Sequence, residues 1–327
     1  MPTPLSVERV FEQVGASLTA FGHRCSYSKV PWGRGAVKVF LNLLTARFER
    51  ADIYHITGDV QYMALRLPPE RTILTIHDTG ILKKRWGLRR AVIKKLYYDL
   101  PVRRMRYITV ISEATKRELV ELTGCDPQKV LVIENPLREI FIASSKRTFR
   151  EKPVILQVGT GSNKNLKNVI QAVNGLQCKL RIIGLLTSEH TRLLTLSNTE
   201  YSSASELSEE EMRAEYEDAD IIAFCSTYEG FGLPIIEGQG MLTPVITSDL
   251  SPMKEVAGSG AALADPRDPM SIRRAIEKVA GDSPYRQELV KKGTENIRRF
   301  SAELIARQYE ELYERVIKEN EGLNDRS

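Results

Sequence analysis

Glu229 and Glu237 bracket a glycine turn in the stretch IIAFCSTYEGFGLPIIEGQGM, residues 221–241. A carboxylate accepts paired hydrogen bonds from a vicinal diol, as on a ribose or a hexose. Gly230 and Gly232 lie between the two acids, and Pro234 suits the first turn of a helix, where its missing N–H is not needed. The free amides of that helix start face back toward the glycine loop and favour a phosphate or an oxyanion. One short segment thus offers amides for a diphosphate and acceptors for sugar hydroxyls. A second phosphate cradle reads from QVGTGSNKNLKNVIQAV, residues 157–173: a strand, a loop with Gly159 and Gly161, then a helix, with Lys164 as the cation. His77 ends the apolar run ILTIHD, where open α/β sheets place ligands. His55 ends ADIYHIT in the same way. Each histidine reads either as a site group or as a ring satisfied by backbone groups.

The string STYEGFGLPIIEGQG resembles the E-x7-E motif of retaining family 4 glycosyltransferases (glycosyl transferases group 1), which have the GT-B fold. It follows their S-x-x-E-G-F-G-L-P-x-x-E-A pattern, departing at Gly238, where Ala is usual, and at Leu242, where many members have Gly. The Lys164 segment is similar to the family's V-G-x(n)-R-K-N-L string, with Asn163 in place of the arginine and Thr160 where some members carry a second one. ILTIHD resembles V-x-T-x-H-D, and SPMKEVAG resembles S-x-x-x-E-V-x-G.

The resemblance implies two Rossmann-like, doubly wound parallel-sheet domains with a cleft between them. It implies retaining transfer of a hexose-type sugar from a nucleotide-sugar donor, on UDP or GDP. The acceptor would be a glycan, a lipid-linked molecule or a small molecule, in cell-surface polysaccharide or glycoconjugate synthesis. Lys164 with the amides of Gly159 and Gly161 would hold the diphosphate, and Glu237 the ribose. Glu229, with the backbone of Gly230, Phe231 and Gly232, would hold the sugar hydroxyls, and His77 would close on the sugar from the other domain. Asp78 would act on the acceptor side or position its loop, and Glu255 would position its helix or line the donor pocket. Residues 201–207, YSSASEL, lie where members place the loop touching the nucleobase. Two other classes fit the same pocket: a non-catalytic nucleotide-sugar-binding protein and a GT-B epimerase. STYEGFGLPIIE favours the transferase.

Asp218-Ala219-Asp220 spells D-x-D, the metal-binding pattern of the other large glycosyltransferase fold. It lies between an acidic helix and a buried strand, so no metal and no cofactor are expected. Charge on the leaving diphosphate would be met by Lys164, the loop amides and the helix N-terminus.

With 327 residues, 42% apolar and 27% charged, the chain suits two globular domains. No apolar run is long enough to span a membrane. MPTPLSVERV lacks a basic start and an apolar core, so no secretion signal is expected. The four cysteines are scattered, as in a reducing cytosol. The expected location is the cytoplasm, with a peripheral place on the cytoplasmic face of the inner membrane as one option. That option comes from Lys83 to Arg106, whose lysines and arginines face a single acid, Asp99, and alternate with Trp86, Leu88, Val92, Ile93, Leu96 and Tyr97. The tract reads either as a solvated helix with a core-facing stripe or as a patch for an anionic leaflet. No recognition module accompanies the charge, so nucleic acid is not expected as a partner.

Alternating strand and helix patterns predict the elements that position these residues. A helix is expected from Ser6 to Phe21, a strand from His23 to Val30, and a helix from Val37 to Phe48. Strands follow at ADIYHIT, RTILTIHD, YITVIS and KVLVIENPL, with a helix from Glu113 to Thr123 that Ser112 could cap. The polar run 143–152 is the expected hinge. It separates an acceptor-side domain, 1–145, from a nucleotide-sugar domain, 146–300. A helix in 301–327 would cross back onto the first domain, as the resemblance implies. The opening MPTPLSVER matches the loop and helix that follow the family's first strand, so that strand is expected to be missing from the N-terminal domain.

Overall fold

The computed structural model describes residues 6–33, 35–83, 85–145 and 148–324. The chain forms two compact units. One is Leu137–Ser301; the other joins the described residues up to Pro136 with those from Ala302 onward. The 145/146 division therefore falls inside the first of these. Phe141 is fully buried there, and Ala143 N donates to Gly240 O at 3.0 Å, which ties the start of the polar run to the unit's core.

In the unit ending at Pro136, four parallel strands lie in chain order: β1 (Tyr54–Ile56), β2 (Thr72–Ile76), β3 (Tyr107–Val110) and β4 (Val130–Val132). Every residue of β2 and β3 is buried, so both faces of the sheet are covered. Val10, Phe11, Val14 and Leu18 recur at helical spacing and make the buried face of the helix Ser6–Ala20. Ser112 does cap the helix Glu113–Thr123, accepting from Thr115 N at 3.1 Å, and Gly124 ends it in the left-handed region. The terminal helix Ala302–Asn324 belongs to this same unit and packs on Ser6–Ala20 with Tyr309, Leu312 and Val316 buried.

Two expectations, on residues 23–30 and on the tract 83–106, need correction here. Residues 23–30 are coil and not a strand: 23–29 are exposed, and Val30 alone of them packs, half-buried, against the core. The four strands of this Rossmann-like sheet follow chain order from β1 at its edge. The tract 83–106 is not one helix but Gly87–Lys94, a π-helical turn Lys95–Asp99 and Leu100–Arg104, after the short helix Gly80–Lys83. The opening residues 1–5, on which the missing-strand reading rests, lie outside the described residues.

The unit Leu137–Ser301 carries six parallel strands: β5 (Val154–Val158), β6 (Lys179–Ile183), β7 (Glu200–Ala204), β8 (Ile221–Phe224), β9 (Val245–Ser248) and β10 (Ala261–Ala264). Their order is β10-β9-β8-β5-β6-β7, a doubly wound sheet that reverses direction between β5 and β8. Ligands in such sheets bind beyond the carboxyl ends of the strands at that switch point. Both glycine loops leave the sheet there, one from β5 and one from β8. Helix Leu233–Gly240 lies tight on the strands at Gly238, where an added Cβ would meet Ile222 Cγ1 at 2.8 Å and Val245 Cγ2 at 2.9 Å. Of residues 201–207, read as a nucleobase loop, the first four belong to the edge strand β7, Glu200–Ala204. Its polar, half-exposed residues hide the strand from any hydrophobic pattern. The helix Ser283–Asn296 was likewise not foreseen.

Candidate active site

The two loops at the switch point are knitted together. Lys164 Nζ donates to Glu229 Oε1 at 2.7 Å, and Asn163 Nδ2 donates to the same oxygen at 3.2 Å and to Tyr228 O at 3.0 Å. Thr227 N donates to Asn163 O at 2.8 Å. Asn165, itself left-handed at φ 61°, donates to Cys225 O and Pro266 O at 2.9 and 2.7 Å. Beneath the pair, Lys164 Nζ stands 4.8 Å from the centre of the Phe224 ring at the end of β8. Lys164 and Glu229, far apart in sequence, therefore meet over the strand ends, and Asn163 bridges them.

Gly159 has φ 88°, and a Cβ there would run into Lys164 Cγ at 2.9 Å, so glycine lets the lysine fold back over the loop. Its amide, expected to bind the diphosphate, instead donates to Ile183 O at 2.7 Å. That assignment is corrected: the Gly159 N–H continues the pairing of β5 with β6. Gly161 accepts at its carbonyl from Lys164 N at 2.8 Å. Gly232, at φ 117°, stands at the N-terminus of Leu233–Gly240 and leaves room for Ile235, whose Cδ1 an added Cβ would meet at 2.9 Å. Gly230 precedes Phe231, which is buried edge-on against Phe300 with centroids 5.7 Å apart.

Glu237 is buried on the inner side of that helix. Arg138 Nη2 donates to its Oε1 at 3.0 Å, and Tyr216 OH donates to its Oε2 at 2.6 Å. Arg138 also pairs with Glu209. Burial, and then the charge of Glu237, push the Tyr216 hydroxyl well above the usual phenol range, so it stays a donor. Arg138 and Tyr216 are site residues that sequence reasoning missed. Neither carries a motif, and each is brought to Glu237 only by the fold.

His77 and Asp78 follow β2 in the other unit. His77 is buried, with Nε2 2.7 Å from Thr57 O. A carbonyl only accepts, so Nε2 holds the proton and Nδ1 is left as an acceptor, buried and without a hydrogen-bond partner among the described residues. Burial lowers the His77 pKa more than the Thr57 bond raises it, which keeps the ring neutral. Asp78 Oδ1 accepts from Gly80 N at 2.7 Å, which favours the loop-positioning role over the acceptor-side one. His55 is a satisfied structural ring: Nδ1 lies 2.7 Å from Tyr313 OH and Nε2 lies 2.7 Å from Thr75 Oγ1. Glu255 is exposed and accepts from Ser251 Oγ at 2.6 Å, on the surface of its short helix.

The D-x-D residues are engaged by protein. Arg150 donates to Asp218 Oδ1 at 2.6 Å and to Asp220 Oδ2 at 2.8 Å, and Val154 N donates to Asp220 Oδ2 at 2.8 Å. They anchor the entry to β5. Among the described residues no group of three or more His, Cys, Asp or Glu is arranged to hold a metal ion.

Residues 140–296 match the family of glycosyl transferases group 1, and residues 7–138 match glycosyltransferase family 4. The chain is 25% identical over 284 residues to O-antigen chain mannosyltransferase B of Escherichia coli, covering 77% of this chain and 71% of that one. It is 26% identical over 248 residues to the serotype-specific mannosyltransferase WbdA of Escherichia coli, covering 68% of this chain and 30% of that protein. Among solved structures, Anabaena Alr3699/HepE in complex with UDP and glucose superposes with a TM-score of 0.74 at 15% identity, over 95% of this chain and 96% of that one. That likeness is one of fold.

Proposed function

We propose, for a chain that belongs to the family 4 glycosyltransferases and has their GT-B fold, that it moves a hexose from a nucleotide sugar to a cell-surface glycan with retention of configuration. Mannose is the first sugar to test, after the two Escherichia coli mannosyltransferases it resembles. The carrying observation is the Lys164–Glu229 pair over the switch point of the six-stranded sheet. A cation and a carboxylate side by side suit a substrate whose phosphate and sugar hydroxyls arrive together. Lys164 takes the diphosphate, and Glu229 turns to the sugar hydroxyls as the lysine is drawn toward phosphate. Glu237, held by Arg138 and Tyr216, keeps lone pairs for the ribose diol. His77 offers its Nδ1 to a sugar hydroxyl. In retaining transfer the leaving diphosphate takes the acceptor's proton on the face of attack, and the protein groups stabilise charge. The acceptor is a glycan carried at a membrane, and the enzyme works on the cytoplasmic face.

A panel of nucleoside diphosphate sugars, GDP-mannose included, tests this by thermal shift, followed by transfer to glycan acceptors and NMR of the product. One donor should raise the melting temperature, and the new bond should keep the donor's anomeric configuration. Inversion would exclude the mechanism. Release of nucleoside diphosphate at full rate with no acceptor would favour the epimerase reading, and binding without turnover the non-catalytic one.

A further inference from the structure

The tract 83–106 was open to two readings, and the fold separates them. Its second half is core: Tyr98, Val102 and Met105 are buried. The helix Gly87–Lys94 is different, for none of its residues is buried. Trp86, just before it, is 82% exposed, Leu88 is 81% exposed and Val92 is 48% exposed. Leu88 and Val92 are four residues apart and share one helical face. Arg89 flanks that face, Arg85 and Lys95 stand at its two ends, and all three are exposed, while Arg90 lies on the opposite side of the helix. The stripe therefore does not face the core, as a solvated amphipathic helix of a globular domain requires. A tryptophan, a leucine and a valine kept in water beside three cations are the composition of an interfacial anchor.

The helix is firmly mounted. It continues into the π-helical turn, where Lys94 pairs with Asp99 at 2.6 Å and Tyr97 packs on Tyr62 with centroids 5.3 Å apart. On the side of its entry, Lys83 pairs with Glu118 at 2.9 Å. The nearby acids Glu118 and Asp99 are thus bound to Lys83 and Lys94, and the exposed charges named beside the apolar stripe are all positive. No helix of the described residues is long and apolar enough to cross a membrane.

We propose that Trp86, Leu88 and Val92 insert into the headgroup region of an anionic bilayer, with Arg85, Arg89 and Lys95 on its phosphates. This deepens the reading of the acceptor as membrane-carried, and it is testable without any sugar transfer. Apolar insertion and charge attraction make separable contributions, and only the second is screened by salt. The chain has two tryptophans, so Trp32→Phe leaves Trp86 as the only reporter.

The test is flotation of the full chain with vesicles of phosphatidylcholine alone or mixed with phosphatidylglycerol, with Trp86 emission followed in the Trp32→Phe protein. Binding is expected to the mixed vesicles and not to the neutral ones, with a blue shift of Trp86 and quenching by brominated lipid tails. Arg89→Glu with Lys95→Glu should abolish binding. Trp86→Ser with Leu88→Ser should weaken it roughly tenfold or more and make the remainder fully salt-labile. These positions are exposed, so circular dichroism should stay unchanged. Failure to bind the mixed vesicles at low salt would overturn the proposal. So would binding with Trp86 emission unmoved, or a dimer in solution that Trp86→Ser splits while vesicles are ignored, which would assign the surface to a second copy. A failed donor assay with vesicle binding intact would reject the transferase reading alone.

Discussion

The Lys164 ammonium lies 2.7 Å from Glu229 Oε1, so the cation proposed for the donor's diphosphate is neutralised by a carboxylate before any donor arrives. Both side chains are largely shielded from water, Lys164 at 25% and Glu229 at 13% exposure. A donor must therefore draw Lys164 partly away from Glu229, and the two residues should respond to mutation in opposite ways.

Lys164→Ala should weaken nucleoside diphosphate binding by about 1.5–3 kcal/mol, the value of one charge-assisted hydrogen bond. Glu229→Gln should leave that binding equal or tighter, because it frees the lysine and removes an anion near the diphosphate. Turnover of the nucleotide sugar should nevertheless fall, since the sugar loses its charged acceptor. Calorimetric titration with GDP and UDP, set beside steady-state rates, reads both effects. Parallel losses of binding in the two variants would mean that Glu229 touches the nucleotide and not the sugar.

Glu237 has a second, structural role that must be separated from ribose binding. Arg138→Ala would leave a buried carboxylate with only Tyr216, and breaking a buried ion pair by removing one partner costs about 3–5 kcal/mol. The Glu209 partner of Arg138 is more exposed, so its loss adds little. Tyr216→Phe, which removes one hydrogen bond to a charged group, should cost about 1.5–3 kcal/mol. Denaturant unfolding of the free protein measures these losses. If Arg138→Ala unfolds like the parent yet binds nucleotide poorly, Arg138 contacts the ligand itself.

How much of this site was legible follows from how local each signal is. Glu229, Glu237, Lys164 and the glycines sit in short strings whose strand, loop and helix pattern is local, and those strings form strand, loop and helix. What a residue touches across the fold was not legible. The Lys164–Glu229 pair, the Arg138 and Tyr216 clasp on Glu237, and the Gly159 amide bonded to Ile183 all depend on strand order. Periodicity misled in two places for opposite reasons. Residues 23–30 alternate like a strand but have no sheet face to cover, while β7 is polar and pairs with β6 through its backbone.

His55 predicts an acid sensitivity. Burial lowers its pKa to about 3 in the folded chain, against about 6.5 when unfolded. Above pH of about 6.5 the ring is neutral in both states and contributes no pH dependence. Below that the unfolded chain takes up a proton that the folded chain refuses, so stability falls by about 1.4 kcal/mol per pH unit until about pH 3. His77, lowered in the same direction by burial, adds to the slope. His55→Gln keeps polar atoms for Thr75 and Tyr313 but cannot titrate. Its melting temperature should fall less than the parent's between about pH 6.5 and about pH 4. Equal slopes would mean that the folded chain protonates His55.

Removal of divalent metal should leave turnover intact, because Asp218 and Asp220 already hold Arg150 and the backbone of Val154. The check is the transfer rate after EDTA and after readdition of manganese. A strict manganese requirement would overturn the proposed diphosphate site. Arg150→Ala should lower stability and leave the EDTA response unchanged.

The two departures from the family string make a last pair of predictions of opposite sign. Gly238 stands where Ala is usual, but a methyl there would press on Ile222 and Val245 at under 3 Å. Both are β-branched and fully buried in neighbouring strands, so neither can swing aside. Overpacking of about 1–3 kcal/mol should outweigh the helix propensity gain of about 1 kcal/mol, and Gly238→Ala should destabilise. Leu242 stands where many members have Gly, and its φ is 55°. A non-glycine residue in that left-handed region costs about 1–2 kcal/mol. Leu242→Gly removes the strain, at the cost of a half-buried side chain and a freer unfolded chain. The balance should lie between zero and about 1 kcal/mol of added stability, where Leu→Gly elsewhere at a helix end would lose stability. Denaturant midpoints of the two variants decide. A stable Gly238→Ala would show that Ile222 and Val245 can yield, and a Leu242→Gly loss above about 1 kcal/mol would show that the leucine's packing outweighs its strain.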